Sequence, residues 1–263
     1  MYFTDKKIKG GRQIATLIDR EKRINIYMVV DDNDPIDNDI GIERLKNKMR
    51  KRDENKYESI KLDKGKFLPY PSSREFYISG TSGCGKTYLS CQIIKEYLRD
   101  NKKNDMYVLS GINEDKVVDD LKPKRIKLDE RMHTDPLEVD DFKDSIVLFD
   151  DIKTISNNKI AKSVAKLRDN ILEKGRHTNT TIIATTHLLL DYQDTRLLLV
   201  ESSNVIFFPK GGGLSKIDTF LEKYVGVKSE MRNRILSTKN SRWVMVHNKY
   251  PQFILTEKEL YFI

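Results

Sequence analysis

The string Gly80-Thr81-Ser82-Gly83-Cys84-Gly85-Lys86-Thr87 constrains this chain more than any other feature. It satisfies the G-x-x-x-x-G-K-[ST] pattern in full. The glycines let the backbone curl, so that successive N–H groups turn inward toward phosphate oxygens. A helix that starts there directs its positive end at the same point. Lys86 would reach the β- and γ-phosphates of a nucleoside triphosphate, and Thr87 would offer a hydroxyl to Mg²⁺. All eight residues are therefore the expected nucleotide site, with ATP and Mg²⁺ the expected ligands. The flanks agree. Phe76-Tyr77-Ile78 reads as a short buried strand, and Leu89, Ile93, Ile94, Tyr97 and Leu98 mark one side of a helix over residues 88–98.

From Arg74 onward strand and helix patterns alternate, which predicts an α/β fold with a mainly parallel central sheet flanked by helices. Expected strands are Met106 to Leu109, Ile146 to Phe149, Ile182 to Ala184 and Val205 to Phe208. Trp243 to Val246 and Phe253 to Leu255 follow, joined by a turn at Pro251. Ile160, Val164, Leu167 and Ile171 fall at helical spacing, with Gly175 as the stop signal.

The strand Ser145-Ile146-Val147-Leu148-Phe149 ends in two carboxylates, Asp150 and Asp151. In a phosphate-loop enzyme the first holds Mg²⁺, usually through water, and Asp150 takes that role. The second, Asp151, can polarise an attacking water. A nucleotide kinase needs no such base, so the pair favours hydrolysis. A kinase, or a nucleotide-gated adaptor subunit with little hydrolysis, are the alternative readings.

Thr181-Ile182-Ile183-Ala184-Thr185-Thr186-His187 is a strand with a polar carboxyl end. If it lies between the phosphate-loop strand and the acidic strand, His187 or Thr186 faces the γ-phosphate. Arg176, in Gly175-Arg176-His177, is the first choice for an arginine offered to a neighbouring subunit's γ-phosphate. Arg168, Arg196 and Arg242 are the alternatives.

Residues 1–65 read differently from the rest. Two strands, Ile14 to Ile18 and Ile24 to Val30, flank a charged turn. An acidic loop (Asp31 to Asp39) precedes a short helix marked by Ile42, Leu45 and Met49, with Arg44, Lys46, Lys48, Arg50, Lys51 and Arg52 on its outer face. The loop lacks the glycine and terminal glutamate of an EF-hand. The expected division is an extension over 1–65 and a nucleotide-hydrolysing domain over 66–263. A net charge of +8 and a pI near 9.2 suit a polyanionic partner or a solvated mixed-charge surface. The two cysteines, Cys84 and Cys91, sit at the start of one helix and form neither a disulfide framework nor a zinc site. The helix start could lower the Cys84 pKa. No apolar run approaches a membrane span and no secretory signal is expected.

GTSGCGKT, IVLFDD, a helix ending in GRH, and TIIATTH together resemble the FtsK–HerA superfamily of DNA-pumping ATPases. Within it the chain looks most like the poxvirus-type virion genome-packaging ATPases of large nucleocytoplasmic DNA viruses. YVLSGINEDKVVDDL, Phe207-Phe208-Pro209 and SRWVMVHNKYPQF fit the same pattern, so the likeness covers roughly Lys66 to Ile263. The resemblance implies an additional-strand core, assembled as a ring with six subunits the expected number, around double-stranded DNA. It implies packaging of the genome into a capsid, with capsid or portal proteins as partners and a place in the host cytoplasm or the virion. Lys86 and Thr87 match the Walker A pair, and Asp150 and Asp151 the Walker B pair. His187 stands where the superfamily commonly has Gln. Asp151 stands where relatives have Glu, so it needs a shorter reach or a relay water.

Overall fold

Residues 2–19, 22–29, 59–71, 74–191 and 195–263 are described by a computed structural model. The strand that feeds the phosphate loop, β6 (Glu75–Ser79), lies near the middle of a ten-stranded sheet. On one side it pairs in parallel with β10 (Thr181–Thr186), and beyond that lie β9 (Ser145–Asp150), β7 (Asp105–Ser110) and β8 (Lys124–Arg125). On the other side β11 (Asn204–Phe207) is also parallel. The sheet continues with antiparallel β12 (Val244–His247), β13 (Phe253–Thr256), β14 (Glu259–Phe262) and β4 (Ser59–Lys61). The fold is thus α/β with a mostly parallel sheet, the additional strand β10 standing between β6 and β9.

Interior strands of such a sheet are covered on both faces and need apolar residues throughout. β9, β10 and β11 are buried along their whole lengths. Alternate residues feed opposite faces. Phe76, Ile78, Ile146 and Leu148 share a core with Leu89, Ile93 and Ile94 of helix α1 (Lys86–Asp100). Tyr77, Val147, Phe149 and Ile182 pack on the other face with Ile160, Val164, Leu167 and Ile171 of helix α2 (Asn158–Lys174). Gly175 follows α2, though not as a left-handed cap: its φ is −57°. It is buried, and a Cβ there would come within 3.2 Å of the Ile171 side chain, so it serves close packing.

The N-terminal strands form a four-stranded antiparallel sheet, β1 (Tyr2–Thr4), β3 (Lys22–Val29), β2 (Arg12–Asp19) and β5 (Lys66–Pro69), in that spatial order. Phe3, Ile14, Leu17, Ile26 and Phe67 join the same core as α1. Phe3 stacks on Phe262 of β14 at 4.1 Å between ring centroids. The expected division near residue 65 is crossed in both directions. β4, on its N-terminal side, completes the large sheet, while β5, on its C-terminal side, completes the small one. β1, β4, β5, β8 and β14 are too short, and their residues too mixed, for period alone to show. The acidic loop at 31–39 and the basic helix expected near Ile42 to Arg52 lie outside the described residues. Among the described residues no helix is long and apolar enough to cross a membrane.

His247, on β12, is fully buried and stacks on Phe253. Arg12 Nη2 approaches its Nε2 at 3.4 Å, so the Nδ1–H is left to donate to Asn204 Oδ1 at 2.9 Å. Burial, with Arg12 and Lys249 nearby, pushes its pKa down to about 3. The unfolded chain therefore takes up a proton near pH 6.5 that the folded chain refuses. Stability is whole above that pH and falls by about 1.4 kcal/mol per pH unit well below it. Denaturant melts between pH 7 and pH 5 should show this slope, and His247→Gln should flatten it.

Candidate nucleotide-binding and hydrolytic site

The phosphate loop runs from the carboxyl end of β6 into α1. Gly83 and Gly85 have φ of 75° and 111°, a region that favours glycine. Gly80 is required for another reason: a Cβ there would sit 2.6 Å from Cys84 Sγ and 3.0 Å from the Phe208 ring. Two hydrogen bonds pin the loop from below. The Gly80 N–H donates to the Thr186 carbonyl at 3.1 Å, and Lys86 Nζ donates to the Gly80 carbonyl at 2.9 Å. A third, from Thr81 Oγ1 to the Gly211 carbonyl at 2.6 Å, ties the loop to the segment after β11. Cys84 is half-buried, and burial raises its thiol pKa despite nearby Lys86. The lowering expected at a helix start is overridden by desolvation.

β9 delivers the acidic pair. Asp150 is buried and its carboxylate accepts from Thr185 Oγ1 at 2.8 Å. Burial is the main cause of its raised pKa, the Thr185 hydrogen bond opposes it, and the neighbouring Asp151 charge adds to it. At Asp151 the backbone turns into the left-handed region, with φ 43°. That turn aims the two carboxylates differently. The Asp151 N–H donates to the same Thr185 Oγ1 at 3.0 Å, while its Oδ2 lies 3.5 Å from Lys86 Nζ and 3.1 Å from His187 Nε2. Asp151 Oδ1 is buried and has no hydrogen-bond partner among the described residues.

His187, just past β10, joins this group because β10 lies between β6 and β9. Its Nδ1 is 3.4 Å from Lys86 Nζ. With the ammonium donating there, the Nε2–H is left to donate to Asp151. Thr186 points elsewhere. It is buried, with Oγ1 2.9 Å from Tyr77 Oη, and that phenol donates to the Leu188 carbonyl at 2.7 Å. Of the two residues expected to face the γ-phosphate, His187 is the one that lies beside Lys86 and Asp151.

The arginines are spread out. Arg176 is exposed at the amino end of β10, where its carbonyl accepts from Arg74 Nη1 at 3.0 Å. Six strand residues, about 20 Å, separate that end from the phosphate loop, so Arg176 cannot reach the site of its own chain. Arg168 is buried and paired with Asp169. Arg196 is exposed at the start of the helix Arg196–Glu201. Arg242 lies against the phosphate loop itself, with Nη2 3.3 Å from the Cys84 carbonyl.

Thr185 was not visible as a site residue in the sequence. Its signal is the doubled threonine at the end of an otherwise apolar strand. The residues fit a magnesium–nucleotide complex. Asp150 is buried with a raised pKa, partly offset by the nearby Lys86 charge, and it has no ion-pair partner among the described residues, while Asp151 keeps one buried oxygen without a hydrogen-bond partner among them. No group of three or more His, Cys, Asp and Glu among the described residues could hold a metal by itself.

No family model matches the chain. Over 210 residues it is 37% identical to the uncharacterized protein V3 of Sputnik virophage, covering 78% of this chain and 84% of that protein. The chain belongs to the family of that virophage protein. Solved structures with a related outline include the genome packaging NTPase B204 of Sulfolobus turreted icosahedral virus 2, in complex with ATP-gammaS. It has a TM-score of 0.47 and 14% identity, over 70% of this chain and 97% of that one. The pCW3 conjugation coupling protein TcpA has a TM-score of 0.47 and 12% identity, over 93% of this chain and 76% of its own.

Thr185→Val removes the hydroxyl shared by both aspartates and leaves buried polar groups unmatched. We expect a stability loss of about 1–3 kcal/mol, read by denaturant melts, while Thr185→Ser keeps wild-type stability.

Proposed function

We propose that this protein is an ATP-hydrolysing, DNA-translocating motor that packages a double-stranded viral genome into its capsid. The observation that carries the hydrolytic part is the convergence of Lys86, Asp151 and His187 on one point, produced by β10 standing between β6 and β9. Gly80 to Thr87 cradle the phosphates, Lys86 neutralises their terminal charge, and Thr87 and Asp150 hold Mg²⁺. When bound, the ion offsets charge on the phosphate oxygens. Asp151 accepts a proton from the attacking water, and His187 holds Asp151 in position and reports on the γ-phosphate.

Support for a nucleic-acid partner comes from the net charge of +8 and from kinship with a virophage protein. A motor that must pass any sequence gains from gripping phosphates rather than bases. Exposure of Arg176 at the far edge of the sheet leaves it free to serve a neighbouring subunit in a ring.

The test is phosphate release by the full chain with and without double-stranded DNA. DNA should stimulate turnover, and Lys86→Ala should abolish it. Arg176→Ala should lower turnover about 10³-fold or more with nucleotide affinity nearly unchanged, as for an arginine supplied in trans. Mass measurement with ATP and DNA should show a closed ring. Turnover indifferent to DNA in an assembled ring would sink the motor reading. Transfer of phosphate to a nucleoside instead of water would replace it with a kinase.

A further inference from the structure

The same site has a second wall, and it carries an arginine. β10 and β9 bring Asp151 and His187 to one side of the phosphate loop. On the other side a row of paired residues crosses four strands: Ser79 of β6, Phe207 of β11, Val244 of β12 and Thr256 of β13. Because β12 runs antiparallel, the residues just before it come to the same sheet edge as the loop. Arg242 is one of them.

Its backbone is clamped. The Arg242 N–H donates to Glu257 Oε2 at 2.8 Å. Ser241 Oγ donates to the Trp243 carbonyl at 2.5 Å and accepts the Glu257 N–H at 2.9 Å. The guanidinium is held much less. Its Nη2 has the Cys84 carbonyl at 3.3 Å and lies 3.2 Å from where a Gly85 Cβ would stand. No carboxylate among the described residues comes within ion-pair distance of it. The result is a fixed backbone carrying a cation with spare donors, laid along the outer wall of a phosphate-binding loop.

We propose that Arg242 binds the nucleotide of its own subunit, donating to the α-phosphate. The inference rests on the nucleotide reading above. With the terminal phosphate at Lys86, Asp151 and His187, this assignment runs the chain of phosphates across the loop toward the β11–β12 side. Its α-phosphate then comes to the wall that Arg242 occupies. A guanidinium presents paired donors suited to a phosphate's oxygens. Gly85 leaves room for it, since any side chain there would press on Nη2. This assigns Arg242 to its own site rather than to a neighbour's.

Calorimetric titration of the full chain with AMP, ADP and inorganic pyrophosphate separates the possibilities. Arg242→Ala and Arg242→Gln should weaken AMP and ADP about tenfold or more, the loss expected when a charged hydrogen bond is removed. Pyrophosphate, which has no α-phosphate bearing a nucleoside, should bind within twofold of wild type. Arg242→Lys should recover part of the loss. Unchanged AMP and ADP affinity would overturn the proposal. So would equal weakening of pyrophosphate, because Arg242 would then only be propping the loop. Wild-type protein that binds none of the three would refute the nucleotide site itself, and this inference with it.

Discussion

The Thr185 hydroxyl is the joint on which the site turns. It accepts the Asp151 N–H and donates to the Asp150 carboxylate. Adjacent carboxylates on a strand end would otherwise be two similar charges repelling each other in a partly buried setting. The shared hydroxyl, with the left-handed turn at Asp151, makes them unlike. Asp150 is buried and tied to the sheet, with the Lys86 charge only partly offsetting the cost of its burial. Asp151 keeps one oxygen on Lys86 and His187 and one oxygen uncommitted. On the proposed reading, that asymmetry separates metal holding from proton acceptance.

A second coupling runs through the backbone. The Thr186 carbonyl accepts the first N–H of the phosphate loop, while the next residue along, His187, touches Lys86 and Asp151. A shift in the strand end that moves His187 therefore pulls on Gly80. Cys84 and Phe208 lie so close to Gly80 that any side chain there would clash with them. The end of β10 and the phosphate loop are thus joined by a bond that involves no side chain.

Much of this was legible in the sequence because the physics is local. Glycine positions, a strand before the loop and an apolar face after it describe a phosphate cradle without any tertiary information. Fully apolar runs such as Ile146 to Phe149 announce interior parallel strands. The position of His187 was legible only conditionally, since strand order is a long-range property. Thr185 was hidden for the same reason: its role exists only once β10 lies beside β9. Arg242 could not be separated from Arg176, Arg168 and Arg196 by sequence, because an antiparallel strand returns it to the loop from about 160 residues away. Cys84 shows the limit of local argument. A helix start favours the thiolate, but burial decides the outcome.

The interleaving of β4 and β5 has a bearing on how the protein can be divided. The chain passes from the small sheet to the edge of the large one and back again before it reaches the phosphate loop. Cutting it near residue 65 would strip β4 from β14, and would take away the strands that pair with β5 and cover one face of α1. An unpaired β14 edge is a template for association with other chains. The N-terminal residues are thus less an appendage to the nucleotide-binding fold than one wall of it, and the smallest autonomous unit is set by strand pairing rather than by where the motifs begin.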